Sequence, residues 1–314
     1  MAWGNGTVAT EFILLGLSSD PTMQIILFVV FLVVYMMILL GNSLIIMVTA
    51  TDSSLHTPMY FFITNLSILD ICYSTTGAPR MLKDSLSVKK TISYAECVAQ
   101  MYIGLSLGEN ECMLLAVMAY DRYIAICHPL HYTVIISKSV FIKAAAGTWI
   151  CGFLLSIPDI VLICSVGFCG PNKINHAVCE VPEVLALGCG NTAIVEFVIF
   201  AIGVIVLMIP ITFIILSYVR IILAILKITS SAGRLKVFST CGSHILVVTL
   251  FYGSAMAAYL KPKSKSSANV DKILSVFYGT VTSMLNPLIY TLRNEQVKTA
   301  LKKMKIRKLL SIHL

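Results

Sequence analysis

Seven runs of apolar residues, each long enough to cross a bilayer as a helix, dominate the chain and leave it few alternatives. They lie at about Met23 to Ala50, Pro58 to Ala78, Ala95 to Ile126, Val140 to Leu162, Ile194 to Leu226, Val237 to Leu260 and Ile273 to Leu292. A helix needs about 20 residues to cross a hydrocarbon core of ~30 Å. Hydrocarbon offers no partner for a backbone N–H or C=O, so helices and closed barrels alone can span it. Runs of this length read as helices, and the expected fold is an all-α membrane protein, a bundle of seven transmembrane helices. Charge agrees: 12% of the 314 residues are Asp, Glu, Lys or Arg, against roughly a quarter in soluble domains.

An odd number of spans places the two termini on opposite sides of the membrane. With the N-terminus outside, 14 Lys and Arg fall on the cytoplasmic side and 9 on the outer side, which is the bias the positive-inside rule asks for. The sequon at Asn5 then lies in the outer tail, where glycosylation takes place. The division expected is an extracellular tail over 1–22, a seven-helix domain over 23–292 and a cytoplasmic tail over 293–314. Residues 1–10 lack the basic and apolar regions of a cleavable signal, so the first span is expected to act as the targeting signal. The net charge of +8 sits between spans and in the tail. It implies topology and lipid headgroups rather than nucleic acid. Six basic residues between Lys298 and Lys308 suit a short amphipathic helix on anionic lipid. No repeat, inverted pair of spans or filter-like motif points to a carrier or channel.

Cys97, Cys169, Cys179 and Cys189 lie at outer span ends or in the long outer loop. Disulfides form on that side, and spacing alone leaves all three pairings open. The other six cysteines lie in or near spans and read as small buried apolar groups. No metal cluster is expected beyond a bound sodium ion.

Five segments carry a family resemblance. They are EFILLGL (Glu11 to Leu17), LHTPMYFFITNLSILD (Leu55 to Asp70), MAYDRYIAICHPLHY (Met118 to Tyr132), GRLKVFSTCGSH (Gly233 to His244) and MLNPLIYTLRN (Met284 to Asn294). In this order, over nearly the whole chain, they resemble the olfactory branch of the rhodopsin-like G protein-coupled receptors. The resemblance implies an odorant receptor of the plasma membrane that binds small, largely apolar molecules and activates an olfactory stimulatory G protein to raise cyclic AMP. It also implies a Cys97–Cys179 bridge and a second, Cys169–Cys189. The competing reading is a rhodopsin-like receptor for a non-odorant lipid or other small molecule. No cofactor is implied, and the residues offer neither a nucleophile with its base nor a phosphate loop, so no enzyme is expected.

The residues add their own constraints. Ionised groups inside a membrane are costly and face the bundle interior, so they are functional candidates by default. Asp121, Arg122 and Tyr123 close the third span, where Arg122 is expected to pair with Asp121 at rest and to turn toward Tyr218 on activation. Asp70 and Glu111, with Asn42 and Asn286 as amide partners, are expected to form a buried polar site that holds a sodium ion or a proton, or a neutral hydrogen-bonded pair. Glu111 lies on nearly the same helical face as Arg122 and ~16 Å deeper.

Pro210 and Pro287 leave the carbonyls of Val206 and Ser283 without their helical donors, and Tyr290 is the expected inner switch partner. Ser283 stands where the family usually has proline, so a less distorted seventh helix is expected. The ligand pocket is expected in the outer half of the bundle. Gly104, Leu105 and Gly108 would line it from the third span, Ile202, Gly203 and Val206 from the fifth, and Tyr252, Ala255 and Tyr259 from the sixth. Gly104 occupies the position of an aspartate in amine-binding relatives, which disfavours a protonated amine there. Glu109 has two open roles, accepting a hydrogen bond from a ligand or pairing with Asn110. Ala177 and Val178 are expected to leave a roomy lid before Cys179.

Overall fold

The computed structural model describes residues 10–168, 172–227, 229–260, 272, 277–292 and 295–312. Asn5 and Cys169 lie outside them. The long helices are α1 (Pro21–Thr51), α2 (Pro58–Ser85), α3 (Tyr94–Cys127), α5 (Lys138–Cys164), α7 (Ala193–Leu226) and α8 (Ser231–Tyr259). Short α4 (Tyr132–Ile135) follows α3, and short α6 (Val181–Leu185) precedes α7. A π-helical turn, Phe277–Val281, leads into α9 (Thr282–Leu292), and α10 (Glu295–Ile312) ends the chain.

Local sequence starts these helices. The Asp20 carboxylate accepts from the Thr22 and Met23 amides at 2.7 and 3.3 Å, with Pro21 at the first position of α1. Such a cap satisfies N–H groups that have no helical partner. Ser93 and Glu96 form a reciprocal capping box at the start of α3.

The bundle is apolar on its outside. Leu40, Ile209 and Leu216 are each at least 60% exposed, and the free faces of α1 and α7 carry many more large apolar side chains. An exterior of this kind is stable only against lipid. Among the described residues, four helices are long and apolar enough to cross a membrane: α1, α5, α7 and the Cys241–Tyr259 part of α8. At 34 residues, α3 has the length, about 51 Å, but carries its polar groups inward. Glu109, Asn110, Glu111 and Asp121 are all buried. The protein is an all-helical, membrane-associated bundle with α3 at its centre.

The expected α-only architecture needs one addition. β1 (Glu11–Leu14) pairs antiparallel with β2 (Thr91–Ser93) and parallel with β3 (Lys173–Ile174), in the order β2-β1-β3. This small sheet caps one end of the bundle. Alternation along β1 sends Phe12 and Leu14 inward, both 1% exposed, against Ile92, Ile174 and the edge of Phe168.

α3 and α5 approach closely because Gly152 has no side chain. A Cβ built there would lie 2.6 Å from the Ser106 carbonyl oxygen and 2.9 Å from Asn110 Cβ. One turn along α5, Ser156 and Ser106 share a hydrogen bond of 2.5 Å. Gly152→Leu is expected to abolish most of the monodisperse peak in size exclusion of solubilised protein, since a backbone oxygen cannot step aside as a flexible side chain can. Gly147→Ala, where a Cβ meets nothing within 4 Å, should leave the peak unchanged.

Candidate ligand cavity and switch

An apolar cavity of about 470 Å³ lies between α3, α5, α6, α7 and α8. α3 contributes Gly104, Leu105 and Gly108, whose small side chains leave the space open. Gly203 and Val206 face it from α7, Ala255 and Tyr259 from α8. All seven are among the positions named from the sequence. Ile202 and Tyr252 do not line the cavity. Tyr252 lies below the cavity, 1% exposed, with its hydroxyl donating to the Cys112 carbonyl at 2.9 Å. Seven residues apart, Tyr252 and Tyr259 share a helical face, but two turns separate them in depth.

Residues not anticipated complete the wall: Tyr73 from α2, Asp159 from α5, Pro182 and Leu185 from α6, and Phe197 and Phe200 from α7. Glu109 lines the cavity as well. Its alternative role is corrected, because the Asn110 side chain is buried without a hydrogen-bond partner and Glu109 Oε2 is equally unpaired.

Beside this space the segment His176 to Cys179 lines a second, smaller cavity that shares Tyr73, Gly104, Leu105, Val181 and Tyr259 with the first. Ala177 and Val178 both face it. A disulfide joins Cys97 to Cys179, and the Cys179 amide donates to Gln100 Oε1 at 2.8 Å, so the lid is fixed to the first turns of α3. Cys189 is also disulfide-bonded.

A buried polar site links α1, α2, α3 and α9. Asn286 Nδ2 donates to both Asp70 carboxylate oxygens at 3.1 Å. Asn42 Nδ2 donates to the Ser283 carbonyl at 3.2 Å. That carbonyl is the one Pro287 deprives of its helical donor, so Asn42 answers a vacancy the proline creates. The Ser283 hydroxyl donates to the Gly279 carbonyl at 3.4 Å, and both Ser283 and Glu111 lie close enough to act on the Asp70–Asn286 pair. The expectation of a less distorted helix here is corrected. Proline is missing at 283, but the π-helical turn Phe277–Val281 stands directly before α9. Asn42 Oδ1, Glu111 Oε1 and Tyr290 Oη remain buried without partners. Unpaired oxygens beside two carboxylates are the donor set of a hard cation.

At the end of the bundle away from the sheet, Arg122 and Asp121 do not pair as expected: among the described residues no ion pair within 4 Å joins them. Asp121 instead accepts from the Tyr132 hydroxyl at 2.7 Å. Burial, and then the Asp121 carboxylate, push the Tyr132 hydroxyl above the usual phenol range, which keeps it a neutral donor. Arg122 acts through space on Tyr218, Cys241, His244 and Tyr290. Tyr123 turns the other way, its hydroxyl 3.2 Å from His128 Nε2.

These features, with the cavity at one end and the Asp121–Arg122–Tyr123 region at the other, coincide with a match over residues 31–308 to the family model described as olfactory receptor. The chain belongs to the olfactory receptor family. It is 46% identical to the human olfactory receptor 13C2 over 99% of this chain and 100% of that protein. It is 50% identical to the human putative olfactory receptor 2B3 over 97% of both chains. Human olfactory receptor 2D2 is 49% identical over 96% of this chain and 98% of its own. The receptor is therefore a multi-pass protein of the plasma membrane and not an enzyme.

His244, present in the GRLKVFSTCGSH segment but given no role there, joins three helices of the receptor. Its Nε2 is 3.2 Å from the Leu115 carbonyl, which can only accept, so Nε2 carries the proton. Nδ1 then accepts from the Tyr218 hydroxyl at 2.8 Å, and the two rings stack. His244→Phe keeps the stack and removes both bonds; the Leu115 carbonyl retains its helical donor within α3, but the buried Tyr218 hydroxyl is left unsatisfied. A loss of about 1–2 kcal/mol is expected, read as a lower melting temperature of the solubilised receptor. An unchanged melting temperature would show that the bridge contributes nothing.

Proposed function

We propose that the receptor spans the plasma membrane seven times with its N-terminus outside, binds small and largely apolar odorants in the outer half of the bundle, and activates a heterotrimeric G protein of the olfactory stimulatory type to raise cyclic AMP. Residues 1–22 form the outer tail, 23–292 the seven-helix domain and 293–314 the cytoplasmic tail. Gly104, Leu105, Gly108, Gly203, Val206, Ala255 and Tyr259 form the odorant wall. The observation that carries this reading is the placement of a largely apolar 470 Å³ cavity directly over Cys112 and Tyr252, on the same α3 that carries Arg122 in its last two turns. A ligand that changes the packing of α3 against α7 and α8 acts on both.

Asp121, Arg122, Tyr123, Tyr218, Asn286, Pro287 and Tyr290 are the switch. Asn42, Asp70, Glu111 and Asn286 hold a sodium ion or a proton between them, and Ser283 joins that set. Asn5 carries the glycan, and Cys169 closes the second bridge with Cys189. The exposed segment from Pro129 to Val134, where Leu130 is 91% exposed, supplies part of the G protein surface. α10 lies along anionic lipid. It is held near the bundle by Lys303, 3.5 Å from Asp52, and by a 2.7 Å bond from the Tyr60 hydroxyl to Gln296. Hydrogen bonds from Ser54 first, then Lys303, keep the Asp52 carboxyl below its ordinary range, so this tether stays ionised at cytoplasmic pH.

The test is a cyclic-AMP reporter in cells supplied with the olfactory G protein, screened with a diverse odorant panel beside surface staining of tags at both termini. An N-terminal tag stained on intact cells, a C-terminal tag stained only after permeabilisation, and a dose-dependent response are expected. Both tags on one face would overturn the topology. A well-stained receptor that raises no cyclic AMP with any odorant would overturn the signalling assignment.

A further inference from the structure

Among the described residues, every acidic or basic group on the cavity wall is an acid: Glu109, Asp159 and Glu196. Glu109 and Asp159 are 5% and 4% exposed, and each has a carboxylate oxygen buried without any hydrogen-bond partner, Oε2 and Oδ1. Such groups are expensive to bury unless something pairs with them. The neighbouring polar side chains satisfy neither oxygen: the Asn110 amide, though adjacent to Glu109, makes no hydrogen bond. Ser106 and Ser156 bond to each other, and Tyr252 donates to a backbone carbonyl.

Geometry places the two acids on either side of one space. α3 and α5 run antiparallel and touch at the Ser106–Ser156 bond. Glu109 is one turn along α3 from that contact and Asp159 one turn along α5 in the opposite direction, so their backbones are separated by about 9 Å along the bundle. A group between them is within reach of both side chains. The apolar remainder of the wall, Phe197, Phe200, Val206 and Leu207, lies where the body of such a ligand would rest. Gly104 does lack the counterion of amine-binding relatives, but the same cavity obtains carboxylates from the next turns of α3 and from α5.

We infer that the preferred ligand is an amphiphilic amine whose ammonium group sits between Glu109 and Asp159 and whose hydrocarbon body packs on the α7 side of the cavity. Glu109 is the principal counterion, and Asp159 accepts a second hydrogen bond. An ammonium supplies donors with no acceptor and neutralises charge that would otherwise be stranded. An alcohol supplies one donor and an aldehyde none. The inference rests on the proposed ligand-binding role of this cavity.

Three probes with one six-carbon body separate these cases: hexylamine, hexan-1-ol and hexanal. Purified receptor in lipid nanodiscs should be stabilised against heat by hexylamine at concentrations on the order of 10- to 100-fold below those the other two require, the range of one charge-assisted hydrogen bond. Glu109→Gln should erase that preference while binding of hexan-1-ol persists, and Asp159→Asn should narrow it. If Glu109→Gln is not recovered folded, Asp159→Asn reads the same preference. Equal potency of the three probes, a preference unchanged in the recovered variants, or no stabilisation by any probe overturns the inference. Binding of hexylamine without a cyclic-AMP response would support the ligand class and count against the signalling role. A cyclic-AMP response to neutral odorants with no amine preference would do the reverse.

Discussion

Cys97→Ser is expected to remove the receptor from the cell surface almost completely, with staining of intact cells reduced at least about ten-fold. The bridge to Cys179 closes 82 residues of chain, and the loop-entropy model gives such a closure about 4–5 kcal/mol. That is a large share of the roughly 5–15 kcal/mol by which a folded domain is stable. Structural consequences compound the entropic one. The bridge fixes the segment that carries Ala177 and Val178 over the smaller cavity, and it leads directly into Val181 and Pro182 on the wall of the larger. Cys97 is wholly buried and Cys179 nearly so; two hydroxyls in their place would lie in an apolar cluster of Phe12, Ile92, Met101 and Ile163. Cys179→Ser should match Cys97→Ser, and the double variant should be no worse than either. Cys151→Ser, a free thiol on the bundle exterior, should stain as the parent does. Normal staining and response from Cys97→Ser would show that the sheet alone secures the lid.

Arg122→Ala is expected to abolish odorant-stimulated cyclic AMP at unchanged surface expression. With the Asp121 carboxylate held by Tyr132, the guanidinium is free of the restraint that its sequence neighbour suggested. Its charge, still felt by Asp121, bears also on Tyr218 and Tyr290, one from α7 and one from α9. A cation at the inner end of a membrane bundle persists when it has a task there, and bringing α7 and α9 into register with α3 is the one its surroundings support. Tyr132→Phe approaches the same switch from the acid's side. It removes the donor to Asp121, lets that carboxylate compete for Arg122, and should lower signalling without abolishing it. A full response from Arg122→Ala, measured at matched surface density, would dismiss the switch.

Sequence alone revealed the helices because each is long and driven chiefly by one effect, the removal of apolar side chains from water. α1, α3, α5 and α7 begin and end within two residues of the runs read from the chain. α2 does not. The apolar run ends at Ala78, yet the helix continues through Pro79 to Ser85. In lipid no competing water draws the broken backbone apart, so an internal proline bends a helix rather than ending it. The sheet was illegible for a different reason: strands of two to four residues have too little periodicity to announce themselves, and their partners lie far away in the chain.

In the cavity, small residues such as Gly104 and Gly203 were readable as room, whereas depth was not, which is why Tyr252 was placed on the wall it supports from below. Asp159 carried a usable signal. It is an acid within the apolar stretch of α5, and the reasoning applied to Asp70 and Glu111 extends to it unchanged. His244 had no such mark, since a histidine near the end of a basic segment reads equally well as surface.

The parallel pairing of β1 with β3 imposes an order of assembly. Ile13 lies opposite Lys173, so the first strand made must wait through the synthesis of four long helices before its second neighbour exists. Until then Phe12 and Leu14 have no closed cluster to enter, and the tail presents an unpaired edge to whatever surrounds it. Biogenesis of this receptor therefore passes through a half-built stage in which its own beginning is sticky, and a cell that makes it well must keep that segment occupied until the rest of the cap arrives.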